Sequence, residues 1–269
     1  MNILMKKIEF AVKDEIGILT INNPPENFLD KPDFLNLKFF KKWVRTSGIK
    51  GLIISGKGRH FSSGAEIKSI YSNANKKASF KSKIRKGQKI LSFIENLDIP
   101  TVSAISGACF GGGLEIALST HFRVCSENAM FSFPEADLGL MPGLNGIFRI
   151  AKMIKRNKAL ELLLSSEIIT ADKALDLGVI DYVVPKNEAM NFSESLLKKL
   201  TQDRPMDVIN FIIRSLNNSK NLSLQKAMKR EMIFFCKLAL KESKNMLSNN
   251  KTNKENVPNE EISVMADKR

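Results

Sequence analysis

Two periods of apolar and polar positions run along this chain. Ile16–Asn22 (IGILTIN) is rich in β-branched residues and ends at Asn22-Asn23-Pro24-Pro25, which predicts a strand closed by a turn. Asp33–Val44 sets Phe34, Leu37, Phe40, Trp43 and Val44 at helical spacing, with Asp33 as the expected N-cap. Gly51–Gly56 (GLIISG) and Thr101–Gly107 (TVSAISG) are short apolar runs of the kind that form buried parallel strands. Between them one helix is expected to start near Ala65 and a longer one to cover Lys81–Asn96, stopped by Asp98-Ile99-Pro100. Beyond Gly111-Gly112-Gly113 the pattern predicts a helix from Leu114, short strands at His121–Cys125 and Met130–Phe133, and a mainly helical chain from Ile147 with one strand-like return at Val179–Val184. Strands alternating with helices imply βαβ units and a mostly parallel sheet. The helices after about Asn187 read as a separate C-terminal layer. From Lys241 the apolar periodicity fades into a tail rich in Lys, Asn, Ser and Glu, expected to be loosely held.

Composition narrows the class. The chain has 269 residues, 43% hydrophobic and 26% charged, which suits a soluble globular protein with a core large enough to need no disulfide or metal. No apolar run approaches the ~18–20 residues that span a bilayer. The N-terminal segment has its short apolar run ahead of Lys6-Lys7 and no small-residue cleavage site, so it is not read as a secretory signal. Cys109, Cys125 and Cys236 are odd in number, far apart and set in apolar stretches, which suggests buried free thiols in a reducing cytoplasm. With His60 and His121 the only histidines, no metal site is expected. The net charge of +14 is uneven: residues 1–100 hold 19 Lys+Arg against 9 Asp+Glu, while residues 101–200 hold 10 against 11. It peaks in Lys76–Lys89, with seven basic residues and no acid. Such a run is ordinarily a solvated helix face; its functional reading is a contact for phosphates or for an acidic partner.

Chemistry concentrates between Thr101 and Gly146. Three consecutive glycines between a buried strand and a helix cost chain entropy and make sense where backbone must approach something closely. They also expose amides at the positive end of the helix that follows. They match neither the dinucleotide fingerprint nor the P-loop. Glu115, two residues into that helix, could simply favour the helix start, and Glu135, after Phe133-Pro134, could be an ordinary loop acid. Together they offer a general acid/base pair beside a backbone anion hole. The loop Arg59–Glu66 (RHFSSGAE) is a second candidate, since ligands of parallel sheets bind at the carboxyl ends of the strands. Ser62 and Ser63 lack the G-x-S-x-G setting of an activated serine. His60 and His121 read as packed residues.

Five collinear segments then carry a specific resemblance: ILTINNPPENFL, LIISGKGRHFSSGAEI, IPTVSAISGACFGGGLEIAL, FSFPEADLGLMPG and ITADKALDLGVIDYVV, spanning Ile16 to Val184. The chain resembles the enoyl-CoA hydratase/isomerase, or crotonase, superfamily. The resemblance implies an α/β fold with a crotonase-like ββα spiral core over residues 1–186, a helical region for trimerisation over 187–240, and the polar tail 241–269. It implies an oxyanion hole of the Ser63 and Gly112 amides, catalytic Glu115 and Glu135, a water held with the help of Gly143, and a substrate-binding surface of Asn27, Gly64, Ala65, Glu66, Ile67 and Gly111. The implied partner is an acyl-CoA thioester, a substrate and not a cofactor, and no cofactor is expected. The implied assembly is a homotrimer or a dimer of trimers.

The chain also departs from the family. Pro142-Gly143-Leu144-Asn145-Gly146-Ile147-Phe148-Arg149 differs from the usual P-G-x-G-G-T-Q-R, so Asn145, Ile147 and Phe148 are expected to alter the acyl pocket. The usual C-terminal run that closes over the adenine is replaced by Lys241–Arg269. The first expectation is hydration of a trans-2-enoyl-CoA, because both acids are present. The alternatives are another enolate reaction, namely isomerisation, decarboxylation or dehydration on an acyl carrier protein. An RNA-binding role ranks behind these: no RNA-recognition motif is present, aromatics are 7%, and Phe80 is the sole aromatic in the basic run, so nucleic acid is not an expected partner.

Overall fold

The computed structural model describes residues 3–5, 7–74 and 77–255. By their contacts these fall into two compact units, one up to Ile213 and one from Arg214 onward. The first begins with β1 (Ile3–Met5), β2 (Ile8–Lys13) and β3 (Ile16–Ile21), then α1 (Leu37–Thr46), β4 (Gly51–Gly56), α2 (Ile67–Ala74) and α3 (Lys77–Glu95). It continues through β5 (Thr101–Ile105), β6 (Ala108–Phe110), α4 (Gly112–Ala117), β7 (Phe122–Ser126) and β8 (Met130–Ser132). After a 3-10 turn at Ala136–Leu138 come α5 (Gly146–Met153), α6 (Arg156–Ser165), β9 (Ile169–Thr170), α7 (Ala171–Leu177), β10 (Tyr182–Val184) and α8 (Ala189–Thr201). Two further helices are α9 (Met206–Asn221) and α10 (Leu224–Glu255).

The main sheet has the order β1-β2-β3-β4-β5-β7-β10. Its first three strands are antiparallel, and from β3 onward neighbours run parallel, with Ile18 opposite Ile53 and Ile53 opposite Val102. A small second sheet, β6-β8-β9, pairs Cys109 with Phe131 and Phe131 with Ile169. This is the α/β architecture expected, with the β1–β2 hairpin added. That hairpin is visible afterwards in the alternation of buried Ile8 and Phe10 with Glu9 and Ala11.

Both faces of the parallel strands are covered, so β4 runs Leu52, Ile53 and Ile54 in succession, all buried, instead of alternating. Leu52 and Ile54 face the larger core, where Phe10 meets Trp43 at 5.0 Å between ring centroids and Phe40 meets Phe93 at 5.4 Å. Ile53 faces the other way, onto Val102, Val124 and Leu197 of α8. Because α8 closes this second face, the expected division after residue 186 falls inside the first unit. In the second unit α10 stays helical through Glu255, well past Lys241; the remainder of the expected tail, 256–269, lies outside the described residues, as does Lys76 of the basic run.

Two expectations need correction. Asp33 is not the N-cap of α1. Asn36 is: its backbone is extended and its Oδ1 accepts from the Phe39 amide at 3.1 Å, while Asp33 lies earlier in the loop, 4.0 Å from Lys86 Nζ. Of the cysteines, Cys109 and Cys125 are buried but Cys236 is exposed. Among the described residues no helix is long and apolar enough to cross a membrane. Asn36→Ala should lower stability by ~1 kcal/mol in urea unfolding, the usual worth of an N-cap, whereas Asp33→Ala should leave α1 intact.

Candidate active site

Strands β4 and β5 end on the same side of the sheet, and the loops that leave them are stitched together. The chain after β4 donates from Phe61 to the Ser106 carbonyl (2.8 Å) and from Ser62 to that of Ala108 (3.1 Å), and Phe110 donates back to Ser62 (3.0 Å). His60 belongs to this seam, its Nδ1 accepting from the Ala108 amide at 2.9 Å. His121 Nδ1 accepts from the Thr101 amide at 3.1 Å. Both histidines are thus packing residues, as expected.

The three glycines that follow β6 divide the work. Gly111 has φ +48°, and a Cβ there would lie 2.9 Å from Glu135 Oε1. At Gly113 a Cβ would stand 2.4 Å from the Ser62 carbonyl, so a side chain would force the stitched loops apart. Gly112 opens α4, and its amide bonds to no other described residue.

The other amide at this point is not the expected one. Ser63 N–H donates to the Glu26 carbonyl at 2.9 Å and its Oγ meets Glu26 Oε2 at 3.0 Å, so the Ser63 amide is engaged. The open amide is two residues on, at Ala65. It bonds to no other described residue, and it lies 3.9 Å from the place a Gly112 Cβ would occupy. Gly64 sits between the two, with its amide on Ser62 Oγ (3.1 Å) and its carbonyl receiving the Leu29 amide (2.8 Å). That pairing turns the next amide outward.

Glu115, on α4, is 2% exposed. Its Oε1 accepts two backbone amides, from Leu144 and Gly146, each at 2.7 Å. Burial pushes its carboxyl up to about 7; the nearby Glu135 charge adds to this, and the two amides and Arg149 oppose it. Glu135, just after β8, is also raised to about 7, chiefly by burial, and its Oε2 is buried with no hydrogen-bond partner among the described residues. Repulsion from Glu135 is a lesser cause at Glu115. Burial is the larger cause for both.

Both carboxyls line one cavity of about 810 Å³. Ser63, Ala65, Gly111, Gly112 and Gly143 border it at the polar end, and Phe28, Ile67, Ile70, Phe80, Ile84, Leu140 and Met141 form an apolar chamber. The Gly143 amide bonds to no other described residue. Such a site presents two or three unengaged N–H donors and two proton-holding carboxyls to whatever apolar chain fills the chamber.

Comparison with known proteins gives the family. The sequence model of the enoyl-CoA hydratase/isomerase family matches residues 11–255. The chain belongs to that family. A probable enoyl-CoA hydratase of Bacillus subtilis (strain 168) is 35% identical over 231 residues, covering 84% of this chain and 88% of that one. A crystal structure of an enoyl-CoA hydratase subunit from Geobacillus kaustophilus HTA426 superposes with a TM-score of 0.79 at 25% identity, covering 92% of this chain and 95% of the other. A putative enoyl-CoA hydratase from Thermobifida fusca YX, solved in complex with CoA, shares the fold with a TM-score of 0.77 at 21% identity, covering 88% and 95%. The family is one of enzymes, and the crotonase fold expected from the resemblance is the one observed.

Of the residues named for substrate binding, Ala65, Glu66, Ile67 and Gly111 line the cavity, and Asn27 and Gly64 do not. Asn27 is fully buried, and its side chain is consumed by the loop backbone: Nδ2 donates to Lys57 O (2.9 Å) and His60 O (2.6 Å), and Oδ1 receives the Asn23 amide (3.0 Å). Asn145, Ile147 and Phe148 were expected to shape the acyl pocket, yet none borders it, and Phe148 is 55% exposed. Sequence reasoning missed the Leu144 and Gly146 amides on Glu115, for which no residue-type signal exists. It also missed Phe80 and Ile84, whose i, i+4 spacing on a basic helix was legible.

The raised carboxyls have a pH signature. In the unfolded chain Glu115 titrates near 4.5 and in the folded protein near 7, so its burial penalty is absent below pH 4.5 and fully developed above pH 7. Stability should therefore fall as pH rises through that window. Glu115→Gln, which can still accept both amides, should gain up to ~3 kcal/mol over the wild type at pH 8 and nothing below pH 4, by urea unfolding.

Proposed function

We propose that this protein hydrates trans-2-enoyl-CoA thioesters, adding the oxygen of water to C3 and a proton to C2 to give a 3-hydroxyacyl-CoA. The observation that carries the reading is the buried carboxyl of Glu115 and the half-buried one of Glu135, each raised to about 7, on one cavity with two open backbone amides. The fold shared with a protein solved in complex with CoA supports the substrate class.

In this mechanism the Ala65 and Gly112 amides receive the thioester oxygen. As water adds, the thioester takes on enolate character and negative charge grows on that oxygen. Fixed N–H donors then stabilise the transition state more than the ground state, each contributing ~3 kcal/mol. Water is held between Glu115 and Glu135, with the Gly143 amide as a further donor. One carboxylate takes a proton from the water while the other, protonated, delivers one to C2. Carboxyls poised near 7 can fill both roles at neutral pH. The apolar chamber beyond takes the acyl chain. The exposed cations Lys81, Arg85 and Lys89, one turn apart on α3, would supply positive field for the CoA phosphates, or for an acidic carrier protein bearing the acyl group.

Glu115→Gln and Glu135→Gln should each lower hydration kcat by ~10²–10⁴-fold with little change in CoA-ester affinity. The double variant should be far less than multiplicatively worse, since the acids act on one water. If Glu115→Gln stays active while Glu135→Gln does not, a one-acid double-bond isomerase becomes the better reading, and an isomerase assay on 3-enoyl-CoA decides it.

We further propose a homotrimer, alone or paired into a hexamer. The second unit presents Leu224, Met228, Met232 and Phe235 along one face of α10, each 58% exposed or more, a stripe suited to subunit contact. Sedimentation at micromolar concentration should give three or six chains, and Met232→Glu with Phe235→Glu should shift it toward monomer.

A further inference from the structure

Glu115 is held by a loop, so its placement depends on what holds that loop. Leu144 has both polar groups committed: its amide donates to Glu115 Oε1 at 2.7 Å, and its carbonyl accepts from Arg149 Nη1 at 2.6 Å. Arg149 is 4% exposed, and its other edge grips Glu95, with Nη2 and Nε at 3.0 and 3.2 Å from Oε2. The preceding carbonyl, of Gly143, accepts from Gln88 Nε2 at 2.9 Å. Gln88 and Glu95 both stand on α3, the helix that lends Phe80 and Ile84 to the chamber. Two successive carbonyls are therefore moored to α3, while the amides of Leu144 and Gly146 are turned onto Glu115.

Burying a guanidinium is costly unless its donors are satisfied, and an arginine kept inside for packing alone would be replaceable by an apolar side chain. Here the planar fork joins a carbonyl on one side to a carboxylate on the other, a geometry that Lys cannot reproduce. We propose that Arg149, anchored on Glu95, is a positioning residue for the proposed hydration: it fixes the Leu144 carbonyl so that the Leu144 and Gly146 amides stay on Glu115. The proposal rests on the hydratase reading for its kinetic consequence but not for its geometry. The charged groups that act on Glu115 are Glu135, which raises its proton affinity, and Arg149, which lowers it. Losing Arg149 removes a favourable charge and slackens two hydrogen bonds, so both effects push the Glu115 midpoint upward.

The test follows the Glu115 carboxyl directly, by 13C NMR of protein labelled at the glutamate carboxyl carbons, with Glu115→Gln identifying the resonance. In the wild type the midpoint should lie near 7. In Arg149→Gln it should rise by about one pH unit or more, and in Arg149→Lys and Glu95→Gln by less. Hydration kcat should fall ~10–100-fold in Arg149→Gln with KM within about threefold of wild type, because the thioester is held elsewhere. Should Arg149→Gln fail to fold, Arg149→Lys and Glu95→Gln carry the same readout. An unmoved Glu115 midpoint in the folded variants, with kcat changed only in proportion to folded protein, overturns the proposal. A wild type that hydrates no enoyl-CoA overturns the hydratase reading instead, and the midpoint still judges the clamp.

Discussion

A carboxyl group at the bottom of an apolar chamber is the constraint to which the rest of the site answers. At 2% exposure, a charged Glu115 without partners would be strongly disfavoured. Two amides at 2.7 Å offset part of that penalty, and what is left over appears as a carboxyl titrating near neutrality. The loop after Gly143 has to turn two of three successive amides inward to meet it. Were the carboxyl at the surface, neither the turn of that loop nor the buried guanidinium behind it would have a reason to exist.

The parallel sheet makes this possible. Strands β4 and β5 deliver two loops to one edge, and those loops bond to each other before they meet anything else. Rigidity obtained this way leaves a few amides unengaged without exposing them broadly to water. Covering both faces of the strands, by the Phe10–Trp43 cluster on one and α8 on the other, keeps that edge from shifting.

How much of this was legible depended on whether a residue's role is local. The place of the glycine run, Glu115 and Glu135 on the cavity was readable because a close backbone approach and a proton-holding group need those residue types. The donor beside Gly112 was not. Ser63 and Ala65 have the same backbone, and which amide is open turns on Glu26, nearly forty positions earlier, capturing Ser63. The resemblance placed Asn27 on the substrate-binding surface, but its amide closes a loop. Asp33 and Asn36 are equally good caps by type, and only the path of the chain after Pro32 selects the second. The β1–β2 hairpin was missed because its alternation is short and blurred by the apolar Ala11 at an outward position.

One detail at Glu115 reaches into stereochemistry. Both lone-pair directions of Oε1 are taken by the Leu144 and Gly146 amides, so a proton on this carboxyl can sit only on Oε2. The acid thus has a single tautomer and a single direction of transfer, whichever way its equilibrium lies. In the proposed hydration, handedness at the carbon that takes the proton would follow from which oxygen the backbone has left free.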